Sequence, residues 1–362
     1  MNQTIKLLIV EDDIEIQQQY KEDVSLFNDT NPAIEIIPQY AENLSQAENM
    51  LQTAYFDAAI VDLRLSANDE GKGGQHIISL IKKGLRFPIF IVSGFLAEAS
   101  SFEEHIFLNK KTKGDYDNED LLKEIATLCT MLNKVGISNI LGRKGAIEEH
   151  LSHVFWNHIS LSMPYWIEKA NSGQNTEEAL LRYTLTHLQE YLEISEQGEF
   201  QDYHFPEFYI NPPIKNHTNT VFTADVVRKI DNNICYIVLT PSCDLTIQRS
   251  KTTPKVKLIT LAEIELFEDK IFDEKSSKDL SIKDAIRKNT NQMYHYLPPF
   301  AQNNETLGKA INFGNLISIP LSTIIDNTKY KKEFAISNSF AKDIIARFSH
   351  YYARQGQPGF RQ

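Results

Sequence analysis

Phe56-Asp57-Ala58-Ala59-Ile60-Val61-Asp62-Leu63-Arg64-Leu65 carries a mostly apolar run straight into a carboxylate. The pattern reads as a buried strand with Asp62 at its carboxyl tip. In an open α/β sheet the carboxyl ends of the strands are where ligands bind. An aspartate held there can attack phosphorus and become an aspartyl phosphate. The competing reading is an ordinary strand that ends in a solvated acid. The rest of the first third of the chain decides between them.

On the amino-terminal side, residues 5–10 (IKLLIV) form a second apolar run, followed at once by Glu11, Asp12 and Asp13. A helical pattern then carries Ile14, Ile16, Tyr20, Val24 and Phe27, and residues 34–37 (IEII) make another strand. Leu44, Ala47, Leu51 and Ala54 form one buried stripe before the Asp62 strand. Beyond it come a helix around 77–81, a fourth strand at 88–92 (PIFIV), a short fifth at 106–108 and a closing helix with Leu121, Leu122, Ile125, Leu128 and Leu132. Five strands alternating with helices imply a doubly wound parallel sheet covered on both faces. Strand one then delivers Glu11 and Asp12, strand three Asp62, strand four Ser93 and strand five Lys110, all to one crevice. Crowded carboxylates raise one another's pKa unless a cation neutralises them. Mg²⁺ suits such a site, because a few carboxylates hold it while water and phosphate oxygens complete its shell. Lys110 and Ser93 would contact the oxygens of a transferring phosphoryl group.

The 362 residues exceed one typical core and predict two or three domains. A hydrophobic content of 42% and a charged content of 23% are ordinary for a globular chain. No apolar run approaches the ~20 residues of a membrane span, and no signal segment opens the chain, so a cytoplasmic location is expected. Cys129, Cys235 and Cys243 lack CxxC spacing, against a disulfide framework or a cysteine-rich zinc site. Of the net charge of −11, residues 1–135 hold −10, from 12 Lys/Arg against 22 Asp/Glu; residues 136–362 are near balance at −1. Neither part has the basic excess of a phosphate-backbone binder, so dedicated DNA binding is disfavoured.

Four strings in this order, LLIVEDD (7–13), IVDLRL (60–65), PIFIVSG (88–94) and FLNKK (107–111), resemble the receiver domain of two-component response regulators. The resemblance covers a little over a third of the chain and implies a flavodoxin-like five-stranded fold. It implies Asp62 as phosphoacceptor, Glu11 and Asp12 as Mg²⁺ ligands with the backbone carbonyl of Arg64, Ser93 as switch hydroxyl and Lys110 as the phosphate-sensing lysine. Phe107 takes the place of the family's mobile aromatic. The phosphodonor it implies is a histidine kinase. Three departures stand out: Lys111 where the family has proline, a long segment at 66–74 after the phosphoacceptor, and only 16 residues between Ser93 and Lys110, which leaves little room for a fourth helix.

Residues 136–195 read as a helical connector. Ile147, Leu151, Val154, Phe155, His158 and Ile159 make one stripe that Pro164 ends or kinks. A second helix follows Asn175, with Leu181, Leu185, Leu188 and Leu192 on its apolar face. His150 and His153 share a helical face, yet no third metal ligand follows at a useful spacing and the order is not HExxH. A docking or dimerising hairpin is the expectation, and with it a homodimer.

Residues 196–362 predict an α+β domain with a small antiparallel sheet or barrel: a hairpin over 226–230 and 234–239, strands at 256–261, 294–297 and 316–319, and a final helix with Phe340, Ile344, Phe348 and Tyr351 on one side and an end at Gly356 and Pro358. Arg347 and Arg354 read as its solvated basic face. In 239–245 (LTPSCDL), Cys243 beside Asp244 is either a nucleophile served by His204, His217 or His295, or a buried small residue in a tight turn, the favoured reading. The strings TPSCDL, HYLPP (295–299) and RFSHYYARQGQP (347–358) resemble a bacterial domain with no activity attached, and resemble no winged-helix output domain. The function expected is therefore a response regulator that takes a phosphoryl group on Asp62 and passes the state through a non-DNA-binding domain, or serves as phosphoryl sink beside a separate effector. That arrangement resembles the Detocs type of phage-defence phosphorelay. The alternatives are a phosphorylation-gated enzyme centred on Cys243 and Asp244 and, less favoured, a transcriptional regulator.

Overall fold

The computed structural model describes residues 3–65, 72–142, 145–193, 198–199, 202–210, 220–247, 251–266, 277–300 and 308–354. Residues 66–71 of the long segment, His217, Gly356 and Pro358 lie outside the described residues. The chain divides into two compact units, residues 1–199 and 200–362.

The first unit opens with β1 (Gln3–Val10), α1 (Ile14–Thr30), β2 (Ile34–Ala41), α2 (Leu44–Thr53), β3 (Ala58–Val61), α3 (Gly73–Gly84), β4 (Ile89–Ser93), β5 (Leu108–Thr112) and α4 (Asn118–Val135). All strand pairs are parallel and the order is β2-β1-β3-β4-β5. Alternation along the strands feeds two cores. Ile5, Leu7, Ile9, Ile60 and Phe90 face α1 and α4, where Tyr20, Val24, Phe27, Leu122 and Ile125 meet them. Leu8, Val10, Val61, Ile89 and Ile91 face α2 and α3, against Ala47, Leu51, Ile77 and Ile81. A strand buried on both faces has no polar positions to alternate, which is why the runs read as continuous.

Two details differ from expectation. The fifth strand is Leu108–Thr112, not 106–108. It is an edge strand in which only Leu108 is buried, so its apolar pattern is too thin to mark its extent. Between β4 and β5 there is one 3₁₀ turn, Leu96–Ala99, in place of a fourth helix.

At the end of α4, Gly136 takes φ +88° and donates its N–H to the carbonyls of Leu132 and Asn133, a left-handed stop that glycine permits without strain. α5 (Ile137–Leu141) follows, then α6 (Ala146–Val154), a π turn over Phe155–Ile159, α7 (Ser160–Asn171) and α8 (Glu177–Glu193). Pro164 lies inside α7 and does not end it. The register change falls instead at the π turn, a local device that absorbs an extra residue into a continuing helix.

The second unit contains β6 (Tyr209–Ile210), β7 (Asp225–Lys229), β8 (Cys235–Val238), α9 (Ser242–Leu245), β9 (Leu258–Leu266), α10 (Ser277–Arg287), β10 (Tyr294–Leu297), β11 (Lys309–Pro320), α11 (Leu321–Ile325), β12 (Tyr330–Ile336) and α12 (Asn338–Ala353). Its seven strands form one antiparallel sheet in the order β10-β11-β9-β8-β7-β12-β6. Register shifts in β11 and β12 mark bulges, which bend a sheet. The two edges come close enough for the Tyr209 hydroxyl to donate to the Pro298 carbonyl at 2.5 Å. α12 packs Phe340, Ile344, Phe348 and Tyr351 onto one face of the sheet.

Candidate phosphoryl-acceptor site

β1 and β3 are neighbours, and their ends are stitched by Asp62 N–H to the Val10 carbonyl at 3.0 Å. That pairing sets Asp62 directly beside Glu11 and Asp12. One carboxylate oxygen from each of the three acids lies within 4.8 Å of the others. Asp62 is 7% exposed and Glu11 3% exposed, so two of the acids are largely withdrawn from water. The turn carrying Asp62 is pinned by α3. A Cβ on Gly74 would stand 2.0 Å from the Asp62 carbonyl oxygen, so only glycine allows the helix to begin there.

The cation at these acids is Lys113. Its Nζ donates to Asp62 Oδ2 at 2.6 Å and reaches Glu11 Oε2 at 2.8 Å. Burial pushes the Glu11 carboxyl above its usual range, against the opposing pull of Lys113. Burial pulls the Lys113 ammonium down, but its hydrogen bonds to Asp62 and Glu11 prevail and its pKa is raised.

Lys110, the lysine expected here, sits within β5 opposite Ile91, and its backbone N–H donates to a Glu104 carboxylate oxygen. The expectation placed the strand at 106–108 with Lys110 just past its end; the strand runs instead to Thr112 and hands Lys113 to the crevice. The residue following the site lysine is accordingly Gly114 at φ +89°, not Lys111. Phe107 also moves. It precedes β5 and lines an apolar hollow with Ile81, Leu85, Phe87 and Leu141. Five strand residues at ~3.3 Å each put it some ~17 Å from the carboxyl edge. Local sequence held one signal for Lys113: it stands directly before a glycine turn, where a strand end belongs.

Ser93, fully buried, closes β4 and accepts a long hydrogen bond from the Phe95 N–H at 3.3 Å. The Arg64 N–H donates weakly to Asp62 Oδ1 at 3.4 Å. The Arg64 guanidinium turns away, lying 3.5 Å over the Phe95 ring and 2.5 Å from Glu98.

The donor set suits a hard divalent cation: three carboxylates, no sulfur or imidazole, and an ammonium already bridging two of them. Among the described residues no other group of three His, Cys, Asp or Glu ligand atoms converges in this way.

In the second unit, Cys243 lies in the expected turn but is exposed, with Sγ 3.5 Å from Asp244 Oδ1. The Lys255 ammonium at 3.0 Å holds the Asp244 carboxyl below its usual range. His295 is buried on β10, and the His204 backbone N–H is tied to Glu207 at the start of a 3₁₀ turn. Arg347 is not a solvated charge: its guanidinium donates to the carbonyls of Asn289, Asn291 and Tyr294, clasping the loop after α10.

No protein family and no curated protein matches the chain. Among solved structures, the chain is similar to a Francisella response regulator receiver domain (19% identity, 35% of this chain and 98% of that one, TM-score 0.28). It is also similar to a CheY-like receiver domain from Methanospirillum hungatei (18%, 37% and 99%, TM-score 0.28). A third is the receiver domain of a sensor histidine kinase from Pseudomonas aeruginosa, whose active-site cleft coordinates magnesium (16%, 35% and 98%, TM-score 0.28). No described helix is long and apolar enough to cross a membrane. The strand order β2-β1-β3-β4-β5 is that of the flavodoxin-like class, and residues 3–135 have that fold, with the acids at its carboxyl edge.

Proposed function

We propose that the protein is a response regulator whose Asp62 accepts a phosphoryl group from the phosphohistidine of a histidine kinase. The observation that carries this reading is the convergence of Glu11, Asp12 and Asp62 at the ends of adjacent parallel strands, with Lys113 bridging two of them. An Asp62 carboxylate oxygen forms the new P–O bond as the P–N bond of the donor breaks, and the electron pair leaves with the imidazole. Glu11, Asp12, Asp62 and the Arg64 carbonyl would hold Mg²⁺, which when bound neutralises the acids and the phosphoryl oxygens. Lys113 then has a choice of anions. Phosphorylation removes the Asp62 negative charge from carboxylate oxygen and places it on phosphoryl oxygens, so the ammonium and the Ser93 hydroxyl follow the charge. That movement at β4 and β5 is the signal. The chain works as a cytoplasmic homodimer joined through its helical connector, with the second unit passing the state to a separate effector, as in a phage-defence phosphorelay of the Detocs type.

Phosphate-affinity gel mobility after incubation with acetyl phosphate and Mg²⁺ tests the chemistry. A hydroxylamine-labile shift that disappears in Asp62→Asn is expected. Unchanged labelling of Asp62→Asn would overturn the assignment.

A further inference from the structure

Three imidazoles meet in the connector although their places in the chain show no ligand spacing. In an unbroken α-helix, residues five apart stand about 140° apart around the axis. His153 and His158 are brought to one side by the π turn, in which the Ser160 N–H donates to the Phe155 carbonyl. Their ring centroids are 6.4 Å apart. α8 runs back along the same helices, with Tyr183 against Trp166 and Tyr191 against His150 and His153. From it His187 sets its ring 5.6 Å from that of His158. His158 thus stands between an imidazole of its own helix and one of the facing helix.

His187 is also prepared as a ligand. Its Nδ1 lies 3.0 Å from the Tyr183 carbonyl oxygen, which can only accept. Nδ1 therefore carries the proton, and Nε2 of the neutral ring keeps its lone pair. Metal-bound histidines are oriented in this way, through a hydrogen bond from the other ring nitrogen. The Tyr183 ring packs on the imidazole with centroids 4.1 Å apart. His153 and His158 are exposed, and among the described residues their rings touch other rings only, which leaves them free to turn.

We propose that His153, His158 and His187 bind one divalent ion of the zinc type, which fastens α8 to the π turn. Two imidazoles that share a tetrahedral ion at ~2.0–2.1 Å have centroids about 5 Å apart. The pairs here stand at 5.6 and 6.4 Å, so the rings sit just outside that span. As they stand their nitrogens do not converge within the 4.8 Å that the three acids show, and the ion draws the two exposed rings inward. Water completes the shell. Nitrogen donors without a carboxylate select Zn²⁺, Cu²⁺ or Ni²⁺ over Mg²⁺, which separates this site in chemistry from Glu11, Asp12 and Asp62.

Calorimetric titration of the full chain with Zn²⁺, in excess Mg²⁺ to keep the acids out of the measurement, tests it. One Zn²⁺ per chain is expected, with the same affinity in Asp62→Asn. Losing an outer-shell partner alone costs a metal site roughly 10–100-fold, so His158→Gln and His187→Gln should each weaken binding by at least about a hundredfold. His153→Gln should weaken it by at least about tenfold. Because a substituted ring could also disturb the hairpin, a second reading uses the unaltered chain. Its electron paramagnetic resonance with one equivalent of Cu²⁺ should show hyperfine structure from nitrogen ligands, retained in Asp62→Asn. A chain that takes up no Zn²⁺, an affinity unchanged in His158→Gln, or a copper spectrum with oxygen ligands alone would each overturn the site. None of these results touches Asp62 labelling, which is read separately.

Discussion

Lys113 between its two acids, Gly74 and His295 each act through a different physical term. Glu11 and Asp62 are desolvated carboxylates that repel, and Lys113 offsets that repulsion at 2.6 and 2.8 Å. Removing one partner of such a pair leaves charges uncompensated, whereas the partial exposure of Lys113 softens the loss. Lys113→Ala is expected to destabilise the first unit by about 1–3 kcal/mol without divalent ions. Added Mg²⁺ should then raise its melting temperature more than it raises that of wild type; equal shifts would mean that the ammonium and the ion do not compete. Lys110→Ala should leave both melting and labelling unchanged. Gly74 is a steric case: the 2.0 Å approach of a Cβ to the Asp62 carbonyl must push either α3 or the Asp62 turn aside. Gly74→Ala is expected to cost about 1–3 kcal/mol in urea unfolding, and to slow labelling by acetyl phosphate because the displaced atoms carry Asp62. His295 is a third case, remote from the site. Burial, with the Arg347 cation adding to it, pulls its pKa down to about 3. The unfolded chain takes up a proton near pH 6.5 that the native state refuses, so the stability His295 contributes is complete above 6.5 and is lost as pH falls toward 3. The loss is on the order of 5 kcal/mol at its limit. His295→Gln should flatten the fall in stability of the second unit between pH 6.5 and 5, measured by urea unfolding.

At the scale of elements, β5 and α12 show how tertiary pairing redefines what a segment is. β5 reads as NKKT after a short apolar triplet, and nothing in its alternation marks a strand reaching Thr112. It exists because β4 offers a complete ladder, with Ser93 opposite Thr112. Its length then decides which lysine reaches the acids, so an error of a few residues in an edge strand becomes an error in the identity of a site residue. On α12, the charge pattern of Arg347 and Arg354 suggests a wet face. Burial of Phe340, Ile344 and Phe348 instead rotates Arg347 over the loop at 289–294, where it donates to backbone carbonyls. The opposite result holds for β1 and β3. Apolar residues on both faces, followed by acids, leave a central parallel strand as the one consistent reading, and the ends of adjacent parallel strands meet.

For the whole molecule, the two compact units divide the chain near residue 199, and the connector helices belong with the first sheet. Most of the negative charge sits on the flavodoxin-like domain, which is therefore repelled by nucleic acid and complementary to a basic partner face. A fragment ending at residue 199 should fold alone and label at Asp62 at the wild-type rate, with thermal unfolding of the full chain showing a second transition absent from the fragment. A fragment that fails to fold would show that the second unit completes the first.

Sequence alone determined the doubly wound first domain, the trio Glu11, Asp12 and Asp62, the hairpin of helices and the antiparallel character of the second unit. Each of these rests on local periodicity or on residues a short step from an apolar run, and such signals survive without knowledge of contacts. The tertiary structure decided which lysine faces the acids, the replacement of a fourth helix by one turn, the exposure of Cys243, the burial of His295 and the enclosure of Arg347. Those outcomes depend on strand length at a sheet edge and on which distant backbone or ring happens to lie opposite, and neither quantity is written in the spacing of residues along the chain.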